Sequence, residues 1–242
     1  MLRFGNPVPS ATRRPRGHAA VPAGGAIIIC ARAPVPGAVK TRMCPPLTLD
    51  EAATLQGSLV MDAVAVACSL RGIATYVACE PGVAHPFFRA LAGRHRLSWC
   101  DQAGDDLGQR MDHAFTGVFA RGHRYAVLVG TDVPTLAVRH YRRAGELLQS
   151  CDVVFGPAED GGYYLVALKR PAPWLFDGIP WSTAGVLARS QERVQAWGLT
   201  VGLLDYERDL DTFDDVRAVV VAGCPVSVRT AGVLRMLMER HG

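Results

Sequence analysis

The sequence has no apolar run approaching the roughly twenty residues needed to cross a bilayer. Its richest, Ala26-Ile-Ile-Ile-Cys-Ala31, has the length of one buried strand. No membrane span is expected. Nor is there a Cys-x-x-Cys pair: the seven cysteines (30, 44, 68, 79, 100, 151 and 224) are odd in number and dispersed. That pattern argues against a disulfide framework or a zinc cage and for a reducing, cytoplasmic setting. An excess of one charge is missing from most of the chain. The net charge of +4 is matched by Arg3, Arg13, Arg14 and Arg16, which lie in residues 1–25 with no acid beside them. A neutral body lacks the basic face that a nucleic-acid partner requires. The first segment also lacks the continuous apolar stretch of a secretory signal. With Pro7, Pro9, Pro15, Pro22 and Gly24-Gly25 it offers little surface to offset ordering entropy, so residues 1–25 read as a basic, proline-rich, disordered tail. Residues 26–242 read as one folded domain.

What is present is a chain of 242 residues, 49% of them apolar, enough for a sizeable core. From Ala26 onward the pattern alternates. Short apolar runs at 26–31, 73–79, 125–130, 152–156, 163–168 and 199–204 predict strands; helical spacing marks 49–70, 107–121, 136–149, 184–197 and 212–222. Thr48-Leu-Asp-Glu51 and Thr212-Phe-Asp-Asp215 carry the capping-box spacing that starts a helix. Strands separated by helices predict an α/β fold: a mixed, mostly parallel sheet with helices on both faces, a three-layer sandwich. The runs 152–156 and 163–168 are joined only by Pro157–Gly162, too short for a helical crossover, so they are antiparallel or not adjacent.

In such sheets ligands bind beyond the carboxyl ends of the strands, which directs attention to four loops. The first, Arg32-Ala-Pro-Val-Pro36-Gly37-Ala-Val-Lys40-Thr-Arg42, is neither a Walker loop nor Gly-x-Gly-x-x-Gly. Its shape and three cations suit either a polyphosphate or a solvated basic surface. In the second, Gly130-Thr-Asp132-Val-Pro134, an acid at a strand end suits a magnesium ligand and equally an ordinary turn. The third, Glu159-Asp160-Gly161-Gly162-Tyr163, places two acids and two permissive glycines between buried strands, as a substrate site would. In the fourth, Asp214 and Asp215 suit the first turn of a helix, whereas Asp209 and Asp211 are not explained by it and one of them is a second candidate metal ligand. Ser182 or Thr183 reads as a helix cap, since no Gly-x-Ser-x-Gly surrounds them, and His113 and His140 read as surface or core residues.

Taken in order, Ala33-Pro-Val-Pro-Gly-Ala-Val-Lys-Thr-Arg42, Asp106-Leu-Gly-Gln-Arg-Met111, Gly130-Thr-Asp-Val-Pro134, Gly156-Pro-Ala-Glu-Asp-Gly-Gly-Tyr-Tyr164, Pro180-Trp-Ser-Thr183 and Asp209-Leu-Asp-Thr212 form a series. The series resembles the radical-SAM/selenodomain-associated transferase family of the nucleotide-diphospho-sugar transferase superfamily. The resemblance implies a GT-A fold with nucleotide and metal at the strands' carboxyl ends. It puts the nucleotide on Arg32, Pro36, Gly37, Lys40 and Arg42, and Mg2+ or Mn2+ on Asp132 and Asp211. The acceptor faces Glu159, Asp160, Gly161, Gly162 and Tyr163. The implied reaction moves a sugar from a nucleotide-sugar donor to a small acceptor, with Lys40, Asp132 and Asp160 as the catalytic groups. Two alternatives stay open. One is nucleotidyl transfer from a nucleoside triphosphate to a phosphorylated small molecule; the other is a noncatalytic nucleotide-binding protein.

Overall fold

Ile27, Ile28 and Ile29 are all but inaccessible to solvent. Alternate residues of that run belong to different apolar clusters, so both faces of the strand are covered. This is β1 (Gly25–Arg32) in a computed structural model that describes residues 24–95 and 97–242. The expected tail lies outside the described residues except for Gly24 and Gly25, and Gly25 already belongs to the strand. The elements that follow are α1 (Leu49–Cys68), β2 (Ala74–Glu80), α2 (Pro86–Ala92), β3 (Ser98–Asp101), α3 (Leu107–Phe119), β4 (Tyr125–Val129), α4 (Val138–Leu147), β5 (Val153–Pro157), β6 (Tyr163–Leu168), α5 (Pro173–Phe176), α6 (Val186–Ala196), β7 (Val201–Leu203), α7 (Phe213–Val221) and α8 (Val228–His241). Strand β3 and helices α2, α5 and α8 are additional to the strands and helices that the sequence pattern predicts.

One seven-stranded sheet runs β3-β2-β1-β4-β6-β5-β7. Only β6 runs against its neighbours: it pairs antiparallel with β4 and β5, while every other pair is parallel. The short connection 158–162 therefore closes an antiparallel hairpin, one of the two arrangements its length allowed. Residues of α1, α2 and α4 cover one face, with Val60, Val64, Phe88 and Tyr141 in its core. Residues of α3, α5 and α6 cover the other, around Phe115, Phe176 and Val194. A third cluster, Leu55, Leu59, Phe213, Val216, Leu234 and Leu237, packs α7 and α8 onto the far side of α1. Helix α1 is thus apolar on both sides because it lies between the sheet and α8.

Two carboxylates fasten α8 to α1. Near its start, Thr230 donates to Asp62 from its main-chain N–H (2.9 Å) and its hydroxyl (2.6 Å). At its end, Arg240 (2.9 Å) and His241 (3.0 Å) donate to Glu51, which also accepts the Thr48 N–H at 2.9 Å in a complete capping box. These bonds, the Thr48 main-chain one foremost, hold the Glu51 carboxyl at about 2, well below the usual range near 4.3. A depressed carboxyl contributes stability above its unfolded value and loses it as pH falls through the folded one. Glu51→Gln should therefore lower the melting temperature at pH 7 by roughly 2–6 °C. Thermal melts should show the gap closing as pH drops from about 4.3 towards 2; a gap constant across that range would assign the loss to packing.

Candidate active site

The carboxyl ends of β1, β4 and β7, with the β5–β6 turn, open onto one cleft of about 980 Å³. It is lined by Arg32 at the end of β1, by Lys40 and Arg42 from the loop that follows, and by Asp132 from the loop after β4. Glu159, Asp160, Gly162 and Tyr163 come from the hairpin, and Arg208, Asp209 and Asp211 from the loop after β7. The four loops singled out by composition meet here. Pro36 and Gly37, expected in the nucleotide cradle, are exposed and outside this lining; Val39 and Thr41 are inside it.

Lys40 is almost buried, its side chain 6% exposed, and its ammonium donates to the Asp132 carboxylate and to the Leu210 carbonyl at 2.7 Å. The Leu210 N–H in turn donates to the Asp132 carbonyl at 2.9 Å. One cation thereby joins the loops after β1, β4 and β7. Arg42 is 70% exposed and pairs with Asp211 at 2.7 Å. The two cations expected on phosphates thus sit on the two acids expected to hold metal. Opposite charges drawn from separate loops find each other in a cleft that would otherwise carry unbalanced charge.

Asp211 also belongs to a denser acidic group. Carboxylate oxygens of Asp160, Asp209 and Asp211 lie within 4.8 Å of one another. Burial first, then the charge of Asp160, with Asp211 and Asp132 adding, pushes the Asp209 carboxyl up to about 6. Crowded carboxylates of this kind have the hard oxygen donors that Mg2+ and Mn2+ prefer, so the residues present fit a divalent ion. The sequence left Asp209 and Asp211 as alternatives and the resemblance implied Asp132 with Asp211; the fold brings Asp209 and Asp211 together and adds Asp160.

Gly162 lines the cleft, whereas Gly161 is required by packing. Gly161 has φ +90, and a Cβ there would lie 2.1 Å from the Ala184 carbonyl oxygen. Its own carbonyl accepts the Leu187 N–H at 3.0 Å. Gly161 lets the hairpin seat against the start of α6, not a ligand approach the backbone. Asp160 Oδ1 accepts the Gly162 N–H at 2.7 Å, which fixes its carboxylate at the cleft, and Glu159 is held by Arg208 at 2.5 Å. Neither Ser182 nor Thr183 caps α6: the cap is Gly185 with no side-chain bond, and Thr183 donates instead to the Pro180 carbonyl at 2.8 Å. This folds the segment back so that Trp181 meets the Tyr163 ring edge-on, with centroids 6.3 Å apart. Trp181 lies so close to Gly108 of α3 that a Cβ there would come within 2.8 Å of its indole. Asp106 caps α3 through the Gln109 N–H at 2.8 Å. The Asp106–Met111 motif is thereby a helix start shaped to receive Trp181.

Sequence reasoning passed over Glu207, Arg208 and Gln102. Glu207 accepts from Thr135 and from His140 Nε2 (2.7 Å), and its main-chain N–H donates to the Pro157 carbonyl at 3.1 Å. His140 is 5% exposed, and its Nδ1 accepts the Ala137 N–H at 2.9 Å, which leaves the proton on Nε2. This buried group anchors the chain two residues before Asp209. No local pattern signals it, because its members are 67 and 72 positions apart.

The family model described as "Uncharacterized protein conserved in bacteria (DUF2064)" matches residues 63–183. A Desulfovibrio desulfuricans G20 crystal structure, of a protein provisionally named a nucleotide-diphospho-sugar transferase, is 30% identical. The match covers 90% of this chain and 96% of that one, with TM-score 0.81. The 4-diphosphocytidyl-2C-methyl-D-erythritol synthase of Anaerococcus prevotii DSM 20548 is 10% identical at TM-score 0.53, covering 83% and 98% of the two chains. A CMP:2-keto-3-deoxy-manno-octonic acid synthetase complexed with CTP is 14% identical at TM-score 0.50, covering 83% and 100%. The latter two share the fold. A search of curated proteins gave no match. The α/β architecture is that of the nucleotide-diphospho-sugar transferase structures, and among the described residues no helix is long and apolar enough to cross a membrane.

Proposed function

The chain belongs to the DUF2064 family, and we propose that it is a metal-dependent transferase that takes its transferred group from a nucleotide donor. The observation that carries this reading is the meeting, in one cleft, of three clustered carboxylates with the cations of the loop after β1. Asp209 and Asp211, with Asp160 and Asp132 beside them, would hold Mg2+ or Mn2+. The ion's contribution when bound is to neutralise the donor's phosphates as charge moves onto the leaving group. Arg32 lines the cleft and among the described residues has no ion-pair partner, so its guanidinium is open to phosphate oxygens. Arg42 exchanges an exposed carboxylate for a phosphate at little cost. Lys40 holds the loops after β4 and β7 together and adds positive charge beside the same phosphates.

Two reactions fit. The family resemblance, which extends to the radical-SAM/selenodomain-associated transferases, favours moving a sugar from a nucleotide-sugar to a small acceptor, with Asp160 as the base of an inverting reaction. One observation favours nucleotidyl transfer instead. Asp160 belongs to the acidic cluster and is bonded to the Gly162 N–H, so it is better placed to bind a cation than to take a proton. Transfer to a phosphorylated acceptor needs no protein base, because the acceptor's own phosphate attacks. We take nucleotidyl transfer as the reading that the geometry supports best. Incubation with each nucleoside triphosphate, Mg2+ and pooled phosphorylated metabolites should then release pyrophosphate. Release of nucleoside diphosphate from nucleotide sugars, lost in Asp160→Asn, would establish the glycosyl reaction in its place. Silence in both assays, with nucleotide bound, would make the protein a noncatalytic binder.

A further inference from the structure

We propose that a second copy of this chain docks on the β7 edge of the sheet, strand against strand about a two-fold axis. Residues of β7 do not line the cleft, so this surface is independent of the reaction performed there.

Strand β7 closes one end of the sheet and pairs only with β5. Towards β5, the Thr200 carbonyl accepts the Val153 N–H at 3.1 Å and the Leu204 N–H donates to the Phe155 carbonyl at 2.9 Å. Main-chain groups alternate in direction along a strand. Residues 200, 202 and 204 therefore serve that ladder, and the N–H and C=O of Val201 and Leu203 point outward. Among the described residues no other strand reaches them. Soluble proteins usually blunt such an edge with charge, proline or a bulge. The opposite edge strand, β3, ends in Asp101. Along Leu199-Thr-Val-Gly-Leu-Leu204 there is neither a charge nor a proline. Leu203 is exposed, and so are Trp197 and Tyr206 on either side of the strand.

A second copy is the occupant that this edge fits. Laid antiparallel with Gly202 on the two-fold axis, it sets Val201 opposite Leu203 of the second copy and Leu203 opposite Val201 of the second copy. Those are hydrogen-bonded positions, so every outward N–H and C=O of both residues is answered. The same pairing brings apolar side chains together on the face that positions 201 and 203 share. On the other face the axis passes between two glycines, where no side chain of either copy obstructs the approach. Gly202 has no room for one: a Cβ there would lie 3.1 Å from Cys151 Sγ and 3.2 Å from a Val154 methyl. Any strand would pair its main chain here, but a match of apolar side chains and glycine about one axis belongs to a copy. The two sheets then form one continuous sheet. Because the paired strands run oppositely, the two clefts open towards opposite ends of it.

Sedimentation velocity of the full chain across a range of concentrations is the test. One chain should give way to two in the micromolar range, as suits a short edge contact. Hydrogen exchange at the Val201 and Leu203 amides should slow about tenfold or more as the dimer forms. Leu203→Lys puts a charge into the contact, and Leu203→Pro removes an outward N–H that an edge strand can spare. Each should raise the dissociation constant at least about tenfold. Neither touches the bonds that residues 200, 202 and 204 make to β5, and unchanged circular dichroism checks the fold. Val221→Lys, on an exposed apolar position of α7, should leave the dimer intact. A monomer at every concentration would overturn the proposal. So would a dimer that survives both Leu203 variants, or one broken by Val221→Lys instead, which would place the contact on α7.

Discussion

Asp209→Asn should stabilise the protein in the presence of a chelator at pH 8 and at the same time abolish metal-dependent nucleotide binding. Its carboxyl is raised to about 6 by burial and by Asp160, Asp211 and Asp132, so ionising it opposes folding. A group raised in the fold adds no penalty below its unfolded value near 3.9. The penalty grows as pH rises from about 4 to about 6 and is constant above that. The wild-type protein should lose stability across that window and the variant should not. At pH 8 the gain should be roughly 2–5 °C in melting temperature. With Mg2+ the order reverses, because only the wild-type cluster can bind the ion and gain stability from it. Nucleotide affinity in Mg2+ should fall at least hundredfold. Asp211→Asn should lose binding equally but gain less stability, since it gives up its Arg42 partner. A variant that lost stability and binding together would make Asp209 a structural residue.

Lys40→Ala should act in the opposite sense on stability and in two directions on binding. The buried ammonium bonds Asp132 and the Leu210 carbonyl, and removing it leaves the acid without its cation and the loops without their link. A lower melting temperature is expected. Nucleotide binding in Mg2+ should weaken at least tenfold, since a charge-assisted contact is worth about 1.5–3 kcal/mol. Metal alone should bind more tightly, because an internal cation no longer competes for Asp132. A purely structural lysine would weaken both. Manganese titration without nucleotide separates the two cases.

The parts legible in the sequence are those where side-chain pattern and structure share a period. The run Ala26–Ala31 is apolar throughout because both its faces are covered, and the Thr48–Glu51 spacing specifies its own hydrogen bonds. The elements passed over lack such local signals. Strand β3 is four residues at the sheet edge, its two ends exposed and Trp99 and Cys100 half-buried, too short for any period. Helix α8 opens with Val228 at 92% exposure, and Asp62 of α1 supplies an acceptor to its first turn. Residues 184 and 185 precede α6 because Ala184 meets Gly161, a contact made across the fold. The same division holds in the cleft. Composition pointed to the four loops that meet in the cleft, since acids, glycines and cations after apolar runs are visible one at a time. It could not show that Lys40 rests on Asp132, or that the amide of Gln102 is committed to β1 and β2. Those relations depend on strand order, and strand order is set by packing distant in sequence.

The central claim is that a divalent ion on the aspartate cluster makes this cleft a nucleotide site. Titrating nucleoside triphosphates into the full chain, once with Mg2+ and once with a chelator, tests it most directly. Binding that needs Mg2+ and disappears in Asp209→Asn is the result this account predicts. Equal affinity with and without the ion, retained in Asp209→Asn, would contradict it.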